Sequence, residues 1–154
     1  MLQKSAVIEA VLDALRSEFE NYVSISKKTR ATGNDAETKA EGKYDTRSTE
    51  ENYLADGLAK HALAASQAIE AISSLPLTAS LENTPISLGS LVEIAFPTET
   101  LWFLIAPAAG GMEVEVSGQT VTVLSPESPL GQQLKGQTTG GKTRQPVTKI
   151  LRVL

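Results

Sequence analysis

The sequence predicts an α+β protein: an antiparallel helical hairpin followed by a small antiparallel sheet with one short helix. Three observations carry this expectation. Apolar residues in the first half recur in steps of three and four, the period of a helix. No proline occurs before Pro76. Beyond it the apolar spacing changes to alternate residues, the period of a half-buried strand.

The helical stretches are matched. Between residues 5 and 28 the stripe is Ile8, Leu12, Leu15, Phe19, Tyr22 or Val23, and Ile25 or Ser26. Residues 48–75 repeat it with Leu54, Leu58, Ala62, Ala65, Ile69, Ile72 and Leu75. At a rise of about 1.5 Å per residue each rod would be about 40 Å long. Narrow stripes of this kind suit an antiparallel coiled-coil hairpin, and the alanines of the second permit close approach. This places a helical domain at residues 1–76. Between the arms, Gly33–Arg47 is polar apart from Ala36, Ala40 and Tyr44. Either the helices extend into it and shorten the turn, or it is a long loop of the kind that is functional or flexible.

A second domain is expected at residues 84–154. Ser90–Phe96 alternates, with Val92, Ile94 and Phe96 on one face. Leu101–Ala106 is continuously apolar, as a buried strand is. Met112–Val116 and Thr120–Leu124 flank Ser117-Gly118-Gln119, a hairpin turn. Ser128-Pro129 reads as a helix N-cap with proline at the first helical position, Leu130 and Leu134 share a face, and Gly136 closes the helix. Val147–Leu154 forms the last strand.

Charge and composition exclude several chemistries. The 154 residues contain no Cys and one His, which removes thiolate metal sites, Fe–S clusters, Cys nucleophiles and multi-histidine centres. The net charge of -4 gives no support for binding nucleic acid by blanket phosphate neutralisation. The longest apolar run, Leu101–Ala109, is far below the roughly 20 residues that cross a bilayer. No signal-peptide core survives Glu9 and Asp13. The expectation is a cytoplasmic protein without a membrane partner.

The acidity is concentrated. Residues 33–56 hold seven acids against three bases, an excess equal to the whole net charge, at the far end of the expected hairpin. Carboxylates there are suited to a hard cation such as Mg²⁺, with other ligands supplied by water or a partner. A solvated hairpin end accounts for the same composition. Two other features carry less. Gly136–Thr143 matches the phosphate-loop spacing G-x-x-x-x-G-K-T, but a helix precedes it and Pro146 follows closely, so the expectation is a Gly-rich turn into the last strand. His61, beside Lys60 on the second helix, has no Ser and Asp placed by local spacing and is assigned no role.

The segment Val123-Leu124-Ser125-Pro126-Glu127-Ser128-Pro129-Leu130-Gly131-Gln132-Gln133-Leu134-Lys135-Gly136, with Gly89–Phe96 and the closing strand, resembles the Gre family of bacterial transcript-cleavage factors. The likeness spans the chain as architecture and is specific mainly over residues 86–154. It implies an FKBP-like fold for the second domain and a mode of action. Gre factors dock that domain on the rim of the RNA polymerase secondary channel and insert the coiled coil tip first. The docking residues implied are Glu127, Ser128 and Pro129. At the tip an Asp and a Glu stabilise a Mg²⁺ shared with the polymerase, which then hydrolyses its own backtracked transcript. The protein would thus be no enzyme, have no cofactor of its own, touch nascent RNA only indirectly, and bind no specific DNA sequence.

The tip departs from the family pattern of Asp-x-x-Glu-Asn before an aromatic. With Tyr53 at the aromatic position, the acidic positions fall on Thr46 and Thr49, so Asp45 and Glu50 are each displaced by one residue. Asp45, Glu50 and Glu51 are the metal candidates, and polymerase binding is better supported than cleavage. The alternatives are a noncatalytic channel-binding competitor or adaptor, and an FKBP-like prolyl isomerase. The isomerase would need an aromatic pocket from Phe96, Trp102 and Phe103.

Overall fold

The computed structural model describes residues 1–39, 45–78, 80–81 and 83–154, the side chains of residues 29–53 excepted. Helix α1 spans Lys4–Lys39 and α2 spans Asp45–Ser73. Both therefore run well into the polar stretch Gly33–Arg47. Strands β1 (Leu91–Ala95), β2 (Thr100–Ile105), β3 (Glu113–Val116) and β4 (Gln119–Leu124) follow, then α3 (Pro129–Leu134), β5 (Lys142–Arg144) and β6 (Val147–Val153). The chain is a mixed α+β protein.

It divides into two compact units, Leu15–Gln67 and a second made of Met1–Ala14 with Ala68–Leu154. In the first, the Ser26 hydroxyl donates to the Ala55 carbonyl at 2.8 Å and the Tyr22 ring stacks on His61 with centroids 5.4 Å apart. Partners that descend along α2 as they ascend along α1 make the pair antiparallel. The buried stripe of α2 differs from the expected one at its start. Ala55 is fully buried while Leu54 is 58% exposed, and the stripe continues through Ala62 and Ala65. Small side chains occupy the contact because the hydroxyl of Ser26 reaches the α2 backbone there.

In the second unit the six strands are ordered β3-β4-β2-β1-β6-β5. One pair corrects the expected all-antiparallel sheet: β2 and β4 run parallel, with Trp102 opposite Val121 and Leu104 opposite Val123. The reason is polarity. In the β3–β4 hairpin, β4 brings Val121 and Val123 to near-zero exposure, while β3 carries the exposed Glu113 and Glu115. The apolar strand takes the interior place and the acidic one the edge, where charge discourages further pairing. The hairpin turns through Ser117 at φ 52° and Gly118 at φ 75°, the left-handed pair a tight two-residue turn requires.

Strand alternation gives the sheet two buried faces. Val92, Ile94, Phe103, Ile105 and Ile150 form one core with Ile86 and with Leu134 of α3. Leu91, Trp102, Leu104, Val121 and Val123 are buried on the other, where Leu2 lies beside Trp102 and Arg152. Val7 and Val11, outside the expected stripe, are fully buried in this same unit, with Ile72 of α2. A helix packed over a wide apolar surface buries a broader stripe than one paired with a single helix.

Strand β5 was not legible as a strand. Its three residues Lys142-Thr143-Arg144 are polar, and it exists because Thr143 pairs with Thr148 of β6 across a tight turn. The Gln145–Pro146 peptide bond in that turn is cis.

Candidate functional site

The segment joining β4 to α3 is the most strongly determined surface feature of the second unit. Ser128 has extended backbone at φ -65° and ψ 157°, and its hydroxyl oxygen accepts from the Gly131 amide at 3.0 Å. The same hydroxyl donates to the Ser125 carbonyl at 2.6 Å. Pro129 follows at the first helical position, where a missing amide costs nothing. The Ser125 hydroxyl accepts from the Glu127 amide at 3.2 Å, and Gln132 donates to the Glu127 carbonyl at 3.1 Å. Gly131 makes the packing possible, since a Cβ there would lie 2.1 Å from the Ser125 carbonyl oxygen and 2.9 Å from Pro126 Cα.

The amide and the carbonyl of Glu127 are thus both engaged, while its side chain is exposed. Glu127 also lines a cavity of about 470 Å³ with apolar walls from Ile86, Leu88, Ile105 and Pro126. Lys135, at the other end of α3, lines it too, and Leu88 is 45% exposed. The structure therefore brings the three predicted docking residues together as one braced turn beside an apolar hollow. It is suited to taking an apolar side chain of a partner with a charged neighbour against Glu127.

Among the described residues no aromatic lines this cavity. Trp102 and Phe103 are each 7% exposed, and Phe96 packs against Phe103 with ring centroids 6.2 Å apart. The aromatics an isomerase site would need are used in the core.

The phosphate-loop pattern is a main-chain turn. The Gly136 amide donates to Ile86, Gly140 to Ile150 and Gly141 to Thr138. Thr143, which would face a magnesium ion in a true phosphate loop, is buried with its hydroxyl on the Pro146 carbonyl. With those amides spent, no phosphate cradle is formed. His61 is exposed and stacked on Tyr22.

Asp45, Glu50 and Glu51 fall in the first two turns of α2, but their side chains lie outside the described residues. Among the described residues no group of three or more His, Asp or Glu could hold a metal ion. No described helix is long and apolar enough to cross a membrane.

Sequence reasoning missed Gln133 of α3 and Gln137 just beyond it. Gln133 accepts from the Arg144 and Gln145 amides at 3.2 and 3.3 Å and donates to the Gln145 carbonyl at 2.5 Å. Gln137 donates to the Lys142 carbonyl at 3.2 Å. No helical spacing could have signalled this, since Gln137 follows Gly136, whose φ of 77° ends the helical path.

No protein-family model matches the sequence, and no curated protein matches it. Among solved structures it is similar to GreA factor homolog 1 (Gfh1) of Thermus thermophilus, at 16% identity, 96% of this chain, 94% of that one and a TM-score of 0.35. A structure described as the transcription factor Gfh1 is 19% identical over 94% of this chain and 93% of that one, with a TM-score of 0.35. Gfh1 of Thermus aquaticus is 18% identical over 99% and 96%, with a TM-score of 0.33.

Proposed function

We propose that this chain is a Gre-like regulator that binds bacterial RNA polymerase at the secondary channel and is not itself an enzyme. The second unit docks through Glu127, Ser128 and Pro129. The acidic end of the helical pair, with Asp45, Glu50 and Glu51, probes toward the polymerase active centre. What supports the reading is one observation: an exposed carboxylate whose own amide and carbonyl are hydrogen-bonded, on a side-chain-braced turn beside an apolar cavity. Fixing the turn before binding lowers the ordering cost of association.

In the cleavage form of the proposal, tip carboxylates would hold a Mg²⁺ shared with the polymerase. The ion would supply an activated water, while the polymerase performs the hydrolysis. The displaced positions of Asp45 and Glu50 favour binding over cleavage.

Co-purification of the full chain with core RNA polymerase at micromolar concentration is the expected result, and Glu127→Lys should weaken it by tenfold or more. Failure of the unmodified chain to retain polymerase would end the proposal. Stalled, backtracked complexes decide the rest: release of short RNAs that Asp45→Ala with Glu50→Ala abolishes supports stimulation of cleavage. Binding without release identifies a competitor for the channel.

A further inference from the structure

Residues 84–154 are neutral in total, but their charge is segregated: residues 135–154 hold all five bases and no acid. Three of those bases meet on the β5–β6 hairpin. Lys142 stands directly opposite Lys149, and Arg144 is opposite Val147. Strand alternation puts these four on one face and all are exposed, while Thr143 and Thr148 are buried on the other with their hydroxyls 2.6 Å apart. Like charges directly opposite on a sheet are destabilising. Glu93, on the same face, is taken by Arg152 at 2.8 Å, and among the described residues no acid pairs with Lys142, Arg144 or Lys149.

The chemistry of an occupant follows from what else the hairpin offers. Strand addition to the β5 edge is blocked, because Gln137 occupies the Lys142 carbonyl and Gln133 the Arg144 amide. Recognition is left to side chains. Val147 is 65% exposed among the bases, and a phosphate backbone offers nothing to bury it. Base stacking has no platform either, since Trp102 is only 7% exposed, with the Arg152 guanidinium 5.8 Å from its ring. Carboxylates around an apolar side chain complement all four residues.

We infer that the exposed face of the β5–β6 hairpin docks an acidic protein surface, with carboxylates for Lys142, Arg144 and Lys149 and an apolar side chain against Val147. Resting on the reading above, that surface belongs to the polymerase and forms a second contact, separate from Glu127.

The test measures affinity of the full chain for core polymerase across a potassium chloride series. Lys142→Glu with Lys149→Glu should weaken binding at low salt at least tenfold and flatten its salt dependence. Val147→Asp should cost about tenfold and Val147→Ile nothing, since shape and polarity are kept. Thermal melts followed at Trp102 confirm that each variant is folded. Wild-type affinity and salt slope in the folded double variant would overturn the inference and leave polymerase docking at Glu127 standing. Absence of binding by the unmodified chain would overturn both. If single-stranded RNA displaces polymerase from the unmodified chain and Val147→Asp has no effect, the occupant is nucleic acid and the inference falls.

Discussion

The turn before α3 and the helical pair of residues 15–67 are built on opposite principles. At Ser125–Gly131 polar main-chain groups are tied down by side chains over seven residues, and one Cβ more would collide with the backbone. Along the helical pair the contacts between α1 and α2 include a hydroxyl on a carbonyl, a ring stack and an alanine stripe. The first arrangement fixes a surface. The second makes a slender rod whose stability comes from repeated small contacts, and it tolerates polar residues wherever they face water. The difference separates a surface fixed residue by residue from one set by the repeat of a helix.

The largest expected effect would break the turn. Gly131→Ala places a methyl group against backbone on two sides, which overpacking values put at about 3 kcal/mol. Urea unfolding followed by Trp102, the single tryptophan, should show that loss, together with loss of polymerase retention. Ala55→Leu attacks the rod instead. It forces a larger side chain into a fully buried position and should cost about 2 kcal/mol. Here amide exchange in residues 15–28 and 55–67 should accelerate while the Trp102 signal is unchanged. Acceleration in the sheet as well would show that the regions are not independent.

Smaller effects sharpen the contrast. Ser128→Ala removes the helix cap and should cost about 1 kcal/mol, with polymerase affinity falling further than stability because the turn loses its geometry. The smallest effect concerns Lys4, which donates to the Thr78 carbonyl at 3.0 Å and whose pKa burial lowers from 10.5. The unfolded chain then holds the proton more tightly, so the contribution of Lys4 to stability rises as pH climbs through its folded pKa toward 10.5. Lys4→Met should remove that rise in urea melts as the pH approaches 10.5 from below.

Much of this was legible in the sequence. Ser128-Pro129 announced the start of α3, because a cap and a proline each do local work that depends on no distant residue. The alternation of Val114 and Val116 with two glutamates announced a half-buried strand in the same way, though not its place at the edge. Strand β5 was not legible, since Thr143 becomes a strand residue only by pairing with Thr148. Leu54 misled for a similar reason: periodicity marks it as apolar, but whether it or Ala55 turns inward depends on how closely α1 approaches. The cavity beside Glu127 joins Pro126 to Ile86 and Leu88, forty residues earlier, and no local pattern links them.

What the sequence determined by itself was therefore whatever short-range chemistry specifies: the change of period at Pro76, the caps and turns, the absence of cysteine, and the acidic excess in residues 33–56. Tertiary structure decided the strand order, the parallel pairing of β2 with β4, and the meeting of Lys142 with Lys149 on one exposed face. A neutral total concealed that last feature, because composition adds charges whereas a sheet assigns each one a neighbour. Register is a relation between distant segments, and only folding sets it.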